Sequence, residues 1–386
     1  MPSASRLLQS VGREAVFSKK APEASSTFRR HCTKRMYMGK KGIRAVCAAL
    51  FLTAALLSAC QKKASGWSGW RTDFDKACKE AAKKEKNILL LFTGEDWDGK
   101  TPAFRTSVLE SKEFGAIAKQ YVLLHIDFSQ AEFAQTDIGD DASAEQQRQA
   151  KEIEAEYEKR EDLADTYNLT QYPSFYILSP EGYLLARFPY ERESIGTTAE
   201  LAEKLAELGD TIAAKEALIA AVRTSGGLER VQAIDALFED TAPECRACLA
   251  PLAAEVPQLD ARNESGLLGK YELWNAYIRM QKALRKDMDR DSSIQLLIDA
   301  AESGHLDGEL RQEAYYTAAY LLAALGSQDF DRLFTLLQLA QDAAPESPHL
   351  QYIDRMRDAL NLMKADAIGE GISPEDEESG PAHGRE

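Results

Sequence analysis

Nowhere in this chain do twenty consecutive apolar residues occur, the length a helix needs to cross a bilayer. The longest apolar run, residues 45–59 (AVCAALFLTAALLSA), stops at about fifteen. Histidine is scarce: five residues, at 31, 125, 305, 349 and 383, none at a spacing that would assemble a metal site. There is no phosphate-binding glycine loop, no Gly-rich dinucleotide fingerprint, no G-x-S-x-G elbow and no H-E-x-x-H. These absences leave no expected cofactor and no expected metal. Basic charge is also short. Residues before Cys60 hold eleven of the 47 Lys/Arg and two of the 62 Asp/Glu, which leaves 36 bases against 60 acids in the rest. A body this acidic repels phosphate backbones and anionic lipid surfaces, so nucleic acid is excluded as a partner and any membrane attachment must be covalent.

What is present begins with that short apolar run. Lys34, Arg35, Lys40, Lys41 and Arg44 precede it and Leu57-Ser58-Ala59-Cys60 closes it. A basic segment followed by a short apolar core reads as a signal peptide. Its final four residues resemble the lipobox of bacterial lipoproteins. The resemblance implies lipidation of Cys60 and cleavage just before it. Residues 1–59 are then the signal region, with the start expected at Met36 or Met38. Residues 60–69 (CQKKASGWSG) are a lipidated tether of small and polar residues. More than one acyl chain holds a protein stably on a membrane.

From Trp70 the patterning becomes that of a folded α/β unit. Residues 73–86 carry apolar residues at helical spacing. Residues 87–94 (NILLLFTG) and 121–128 (YVLLHIDF) are continuous apolar runs, as expected of strands buried on both faces. Helices are predicted over 103–119 and 143–166. Two strands, 174–178 and 183–188, flank the turn sequence Ser179-Pro180-Glu181-Gly182 and are expected to form a hairpin. This order resembles the thioredoxin fold over residues 70–195. Phe92 to Thr101 (FTGEDWDGKT) resembles the F-T-G-S-D-W-C-G-W-C segment of secreted thioredoxin-like proteins, and Tyr172-Pro173-Ser174 resembles the family's cis-proline element.

The departure from that family decides the expected chemistry. Aligned on Trp97, the first redox cysteine falls on Asp98 and the second on Thr101. Disulfide exchange needs a thiolate to attack sulfur and a second thiol to resolve the mixed disulfide. A carboxylate and a hydroxyl can do neither, so no catalytic residue is assigned there. The family's groove beside the cis-proline takes extended peptide by strand addition, which needs no thiol. On that resemblance Trp97, Tyr172 and Pro173 are candidate peptide contacts. The plainer alternative is that Trp97 and Tyr172 cap the core and Pro173 fixes a turn. Cys78 is expected to be a buried, inert thiol.

Beyond about residue 195 strand signals stop. Amphipathic helices are predicted over 198–222, 228–239, 245–254, 264–285, 291–302, 308–325, 328–343 and 348–364, giving an all-α, solenoid-like array of helical hairpins over 196–367. Tyr315 to Pro345 resembles one tetratricopeptide-type hairpin, with Gly326 between helices and Ala340 and Pro345 at its small and terminating positions, although no 34-residue period runs through the region. Cys245 and Cys248 follow Thr241-Ala242-Pro243-Glu244, which reads as a capping box, and lie near a helix start where the dipole lowers a thiol pKa. A structural disulfide, two packed thiols, a redox pair and a metal site are the alternatives. The last is weakest, since two thiolates need two further ligands. Residues 368–386 are acidic, rich in Gly and Pro, and expected to be disordered.

The functional expectation is a lipid-anchored protein of the bacterial cell envelope, facing the periplasm. Its redox-inactive thioredoxin-like domain would bind exported peptides or proteins as adaptor, scaffold or folding helper. The alternative is a periplasmic thiol-disulfide oxidoreductase using Cys245 and Cys248.

Overall fold

The computed structural model describes residues 67–139, 141–285 and 289–369. Cys60, the signal region and the acidic tail lie outside the described residues. No helix among the described residues is long and apolar enough to cross a membrane.

A four-stranded mixed sheet organises the first half. Helix α1 (Phe74–Lys84) is capped by the Asp73 side chain, which accepts from the Lys76 N–H. It leads into β1 (Ile88–Thr93), every residue of which is buried, as a central strand requires. A short helix α2 (Lys100–Phe104) runs into a π-helical turn (Arg105–Leu109), and α3 (Phe114–Ala118) follows. Strand β2 (Val122–Asp127) pairs parallel to β1, from Ile88↔Val122 to Thr93↔Asp127. Then come α4 (Gln130–Phe133), the long polar α5 (Ala144–Thr166), and the hairpin of β3 (Ser174–Leu178) and β4 (Leu184–Pro189). The strand order is β2-β1-β3-β4, with β3 antiparallel to β1 and to β4. Arg71 extends the β2 edge by a single parallel bridge to Leu124.

The single helix expected over 103–119 is instead interrupted. The π turn ends at Leu109, and the Ser111 hydroxyl accepts the Phe114 N–H to restart α3. The helix expected over 198–222 is likewise two, α6 (Thr198–Glu207) and α7 (Gly209–Thr224), separated at Leu208 just before a poor helix former. A capping box between Thr197 and Glu200 opens α6. The Thr198 hydroxyl donates to the Val108 carbonyl at 2.6 Å, which fastens α6 to the π turn. Helix α7 packs on β4.

Helix α8 (Gly227–Asp240) precedes a 3-10 helix (Pro243–Leu249) and two short helices, α9 (Ala250–Ala253) and α10 (Val256–Leu259). The capping box expected at Thr241 does not form. Its hydroxyl donates back to the Leu237 carbonyl at 2.8 Å, and Ala242 takes the cap position with no side-chain bond. The remaining helices are α11 (Leu268–Arg285), α12 (Arg290–Glu302), α13 (Gly308–Ala324), α14 (Phe330–Ala343) and α15 (Leu350–Gly369), each packed on the next. Two equivalent close approaches recur in this stack. A Cβ on Gly269 would lie 2.6 Å from the His305 carbonyl oxygen, and one on Gly308 would lie 2.6 Å from that of Ala343. Every second helix of the stack begins at residues 268, 308 and 350, a spacing longer than 34, which is why no 34-residue period is visible in the sequence.

Two hydrophobic cores result. The first runs from Trp67 through the sheet and the helices after it to Tyr271 and Trp274. The second runs from Leu273 to Leu360. The first core therefore crosses residue 195 without a break, and α11 contributes to both.

Candidate functional site

The segment after β1 carries the site. Gly94 is buried and Trp97 lies on it: a Cβ there would stand 2.3 Å from Trp97 Cε2. The Trp97 indole N–H donates to the Phe128 carbonyl at 2.6 Å, which fixes the ring across the ends of β1 and β2. Its outer face stays 37% exposed. Tyr172 meets it edge-to-face at 5.1 Å, and Tyr172 in turn meets Phe128 at 5.6 Å. Burial pushes the Tyr172 phenol up, helped by Glu161, Tyr176, Asp127 and Asp165. The Tyr172–Pro173 peptide is cis, and the Pro173 carbonyl accepts from Tyr190 N–H at 2.9 Å. The backbone N–H and C=O of Tyr172 have no partner among the described residues. The structure thus joins Trp97 and Tyr172 in one aromatic corner with Pro173 next in the chain.

Asp98 and Thr101 are brought together as well. The Thr101 hydroxyl, buried, donates to Asp98 Oδ2 at 2.7 Å, and the Lys100 N–H donates to Oδ1 at 3.2 Å. The two side chains therefore satisfy one another by a hydrogen bond. Neighbouring Asp96 accepts from Ser129 Oγ at 2.9 Å and from the N–H groups of Gln130 (2.9 Å) and Ala131 (2.6 Å), at the start of α4. Burial opposes its charge, but these donors hold the carboxyl below the usual carboxylate range.

Beneath the corner lies a polar network that the sequence reading did not assemble. Thr93 Oγ1 sits 2.7 Å from His125 Nε2 and 2.7 Å from Asp127 Oδ1, and Asp127 also accepts the Glu95 N–H at 2.9 Å. Trp67 stacks on the His125 ring at 3.6 Å, donates to Glu95 at 3.0 Å, and Glu95 pairs with Arg105. Arg160 from α5 donates to the Asp127 carbonyl at 2.8 Å and pairs with Glu132 at 2.6 Å. Burial pushes His125 down to about 3, with Arg160 and Arg105 adding to it, so the ring is neutral. Burial pushes Asp127 up to about 6 against the pull of the Thr93 hydrogen bond. The available signal was polar residues inside apolar runs (His125 and Asp127 in YVLLHIDF), but the partner strand that meets them is set by register.

Cys245 and Cys248 lie on the 3-10 helix, buried in the first core, as free thiols. Cys245 Sγ is 3.6 Å from the Tyr167 carbonyl. Burial pushes the Cys248 thiol up to about 12, and burial also raises Cys245 despite Arg187 nearby. The expected lowering by a helix dipole is thus outweighed by desolvation. Arg246 does not offset it, because its guanidinium donates to Thr241 O and pairs with Glu239. Cys78 is half-buried on α1, and burial pushes its thiol up to about 11. No cluster of metal-ligating side chains occurs among the described residues.

The sheet order, the cis peptide before Pro173 and the position of Trp97 after β1 together define the fold of the first part. Residues 69–180 match a family model described as thioredoxin-like, so this is a thioredoxin-like domain, followed by a helix-rich region. Residues 267–366 match a second family model, described as an uncharacterised protein C-terminal domain, and that segment encloses the second core. Among curated proteins the chain is similar to thioredoxin-related protein DsbJ of Chlamydia pneumoniae, 35% identical over 71 residues, which covers 18% of this chain and 20% of that protein. It is also similar to disulfide bond reductase DsbH of Chlamydia pneumoniae, 27% identical over 118 residues, covering 31% of this chain and 61% of that protein. The chain spans less than two thirds of the length of either relative. A solved structure titled DsbH oxidoreductase is 24% identical, covering 36% of this chain and 82% of that one, with a TM-score of 0.27.

Proposed function

We propose that this protein is a lipid-anchored component of the bacterial cell envelope whose thioredoxin-like domain binds extended peptide segments of exported proteins without redox chemistry, as an adaptor, scaffold or folding helper. The observation that carries this reading is the hydrogen bond between Thr101 and Asp98, which stands where thiol exchange would need two sulfurs. The unpaired Tyr172 backbone beside the exposed Trp97 face supports peptide capture, since an extended chain can add there by main-chain hydrogen bonds. Attachment through Cys60 rests on the sequence Leu57-Ser58-Ala59-Cys60. Partition of the protein into a detergent phase, lost in Cys60→Ala, tests the anchor.

The relatives' names include a disulfide bond reductase, so the oxidoreductase reading is the one to set against this. Burial of both Cys245 and Cys248 disfavours it, because a thiolate must form and be reached. The deciding measurement is insulin reduction by the soluble chain from Gln61. No thiol-dependent turnover is expected, and activity that disappears in Cys245→Ser overturns the proposal. Peptide capture is tested separately: binding of an extended peptide, read by calorimetry so that the signal survives loss of the indole, should be lost in Tyr172→Ala and Trp97→Phe.

A further inference from the structure

Among the described residues of the helix-rich region, one largely covered acid has no base beside it. Glu313 lies on α13, where burial pushes its carboxyl up to about 7, the Tyr277 hydroxyl pulls the other way, and no basic side chain among the described residues acts on it. Other partly covered acids of this chain, such as Glu132, Glu239 and Glu255, each hold an Arg or Lys. Tyr277 of α11 places its hydroxyl 3.2 Å from Glu313 Oε1 and 2.9 Å from Thr317 Oγ1. The Thr317 hydroxyl can donate to the phenol oxygen while the phenol donates to Glu313, so the carboxylate receives a single donor and its other lone pairs stay open.

The surroundings are aromatic. Residues 313, 316, 317 and 320 share one face of α13 by their spacing. Tyr316 stacks on Tyr320 at 6.5 Å, and Tyr352 of α15, 46% exposed, lies close enough to act on the Tyr316 phenol. The outer ring of this stripe already carries a guanidinium: Arg355 lies over Tyr352 at 5.9 Å. Helices α11, α13 and α15, every second member of the stack, thus contribute phenols to a stripe with the Glu313 carboxyl at its α11 side.

We propose that this stripe receives a lysine side chain from an extended segment of a partner protein, with its ammonium on Glu313 and its stem along the tyrosine rings. Charge complementarity selects the occupant, since an unpaired carboxylate within a strongly acidic body attracts a cation. Tyrosine faces favour cations for the same electrostatic reason. A divalent metal does not fit, because one carboxylate with neutral hydroxyls falls short of the six or more oxygens that calcium or magnesium takes. A compact ammonium fits better than a guanidinium, because Glu313 Oε1 already faces the Tyr277 hydroxyl and Thr317 is buried, which leaves Oε2 for a single donor, whereas a planar fork wants both oxygens of one carboxylate. The site lies outside the thioredoxin-like domain and does not depend on the reading of that domain.

Calorimetric titration of the full chain in detergent with a short, end-capped alanine peptide bearing one central lysine tests this. Saturable binding is expected, with the acetyl-lysine peptide about tenfold weaker or worse. Glu313→Gln should weaken the lysine peptide about tenfold, and Tyr352→Ala, at an exposed ring the fold does not need, about threefold. Equal binding of lysine and acetyl-lysine peptides overturns the proposal, as does unchanged affinity in Glu313→Gln or no saturable binding up to about 1 mM. Equal affinity for an arginine peptide overturns the assignment to lysine. If Glu313→Gln does not fold, unchanged affinity in Tyr352→Ala is the overturning result.

Discussion

At Asp98 and Thr101 two side-chain oxygens stand 2.7 Å apart. That closeness predicts that Asp98→Cys combined with Thr101→Cys closes a disulfide in air. Thiol titration of the denatured double variant should find two fewer free thiols before reduction than after it. An equal count would show that the positions do not face one another. The same cluster sets a pH dependence. Asp127 has its carboxyl raised to about 6 from the ordinary 3.8, so its contribution to stability is fully present below the unfolded value and is lost as pH rises through about 6. Asp127→Asn removes that titration. Its stability relative to the parent should therefore improve by roughly 2–3 kcal/mol between pH 4 and pH 7.5, read by urea unfolding. His125 has the opposite sign. Its depressed value gives stability that is present above about 6.5 and lost as pH falls toward about 3. That Asp98 and Thr101 meet was legible in the sequence from their spacing of three residues at a helix start. The pairing of Thr93 with His125 and Asp127 was not, because it depends on which residues two strands bring side by side.

The elements with strong patterning were legible. The fully apolar runs became β1 and β2 within a residue or two, and Gly182 sits in the hairpin turn between β3 and β4. What escaped were features decided by single hydrogen bonds, such as the Ser111 bond that restarts α3 and the Thr241 bond that denies the expected capping box. Short helix α4 also escaped: Ser129 caps it locally, accepting the Glu132 N–H at 3.1 Å, but its four residues are too few to show a period, and its start is held from a distance as well. Asp96, more than thirty residues earlier, accepts from Ser129, Gln130 and Ala131. Asp96→Ala should cost about 1–2 kcal/mol of stability in urea unfolding, in the range of a lost N-cap. It should also loosen Trp97, whose emission would shift to longer wavelength. An unchanged unfolding midpoint would mean that Ser129 alone holds the start of α4.

For the whole molecule, the end of strand signals near residue 195 pointed to two folded parts, but the division of the cores is a matter of packing. Ile195, Leu201, Leu205, Ile212, Ile219 and Val222 are buried in the same core as the sheet. A chain ending before α6 should therefore fail to fold, lacking native circular dichroism and a cooperative urea transition. A chain ending there that unfolds cooperatively would show that the sheet needs no such cover. None of the four tryptophans, at 67, 70, 97 and 274, belongs to the second core, whereas helical dichroism reports on both parts. Because Tyr271 and Trp274 of α11 enter the first core while Leu273, Ala276 and Met280 enter the second, the two signals should trace one coincident transition. Separated midpoints would show that the halves melt independently.

A rod clasped from both sides has no freedom to swivel. With α11 held in this way, the aromatic corner at Trp97 and the tyrosine stripe keep a constant separation and angle, as the marks on a ruler do. A polypeptide touching both must then match that interval with its own length, and selection by distance between two weak contacts becomes available to a protein whose individual grips need not be tight.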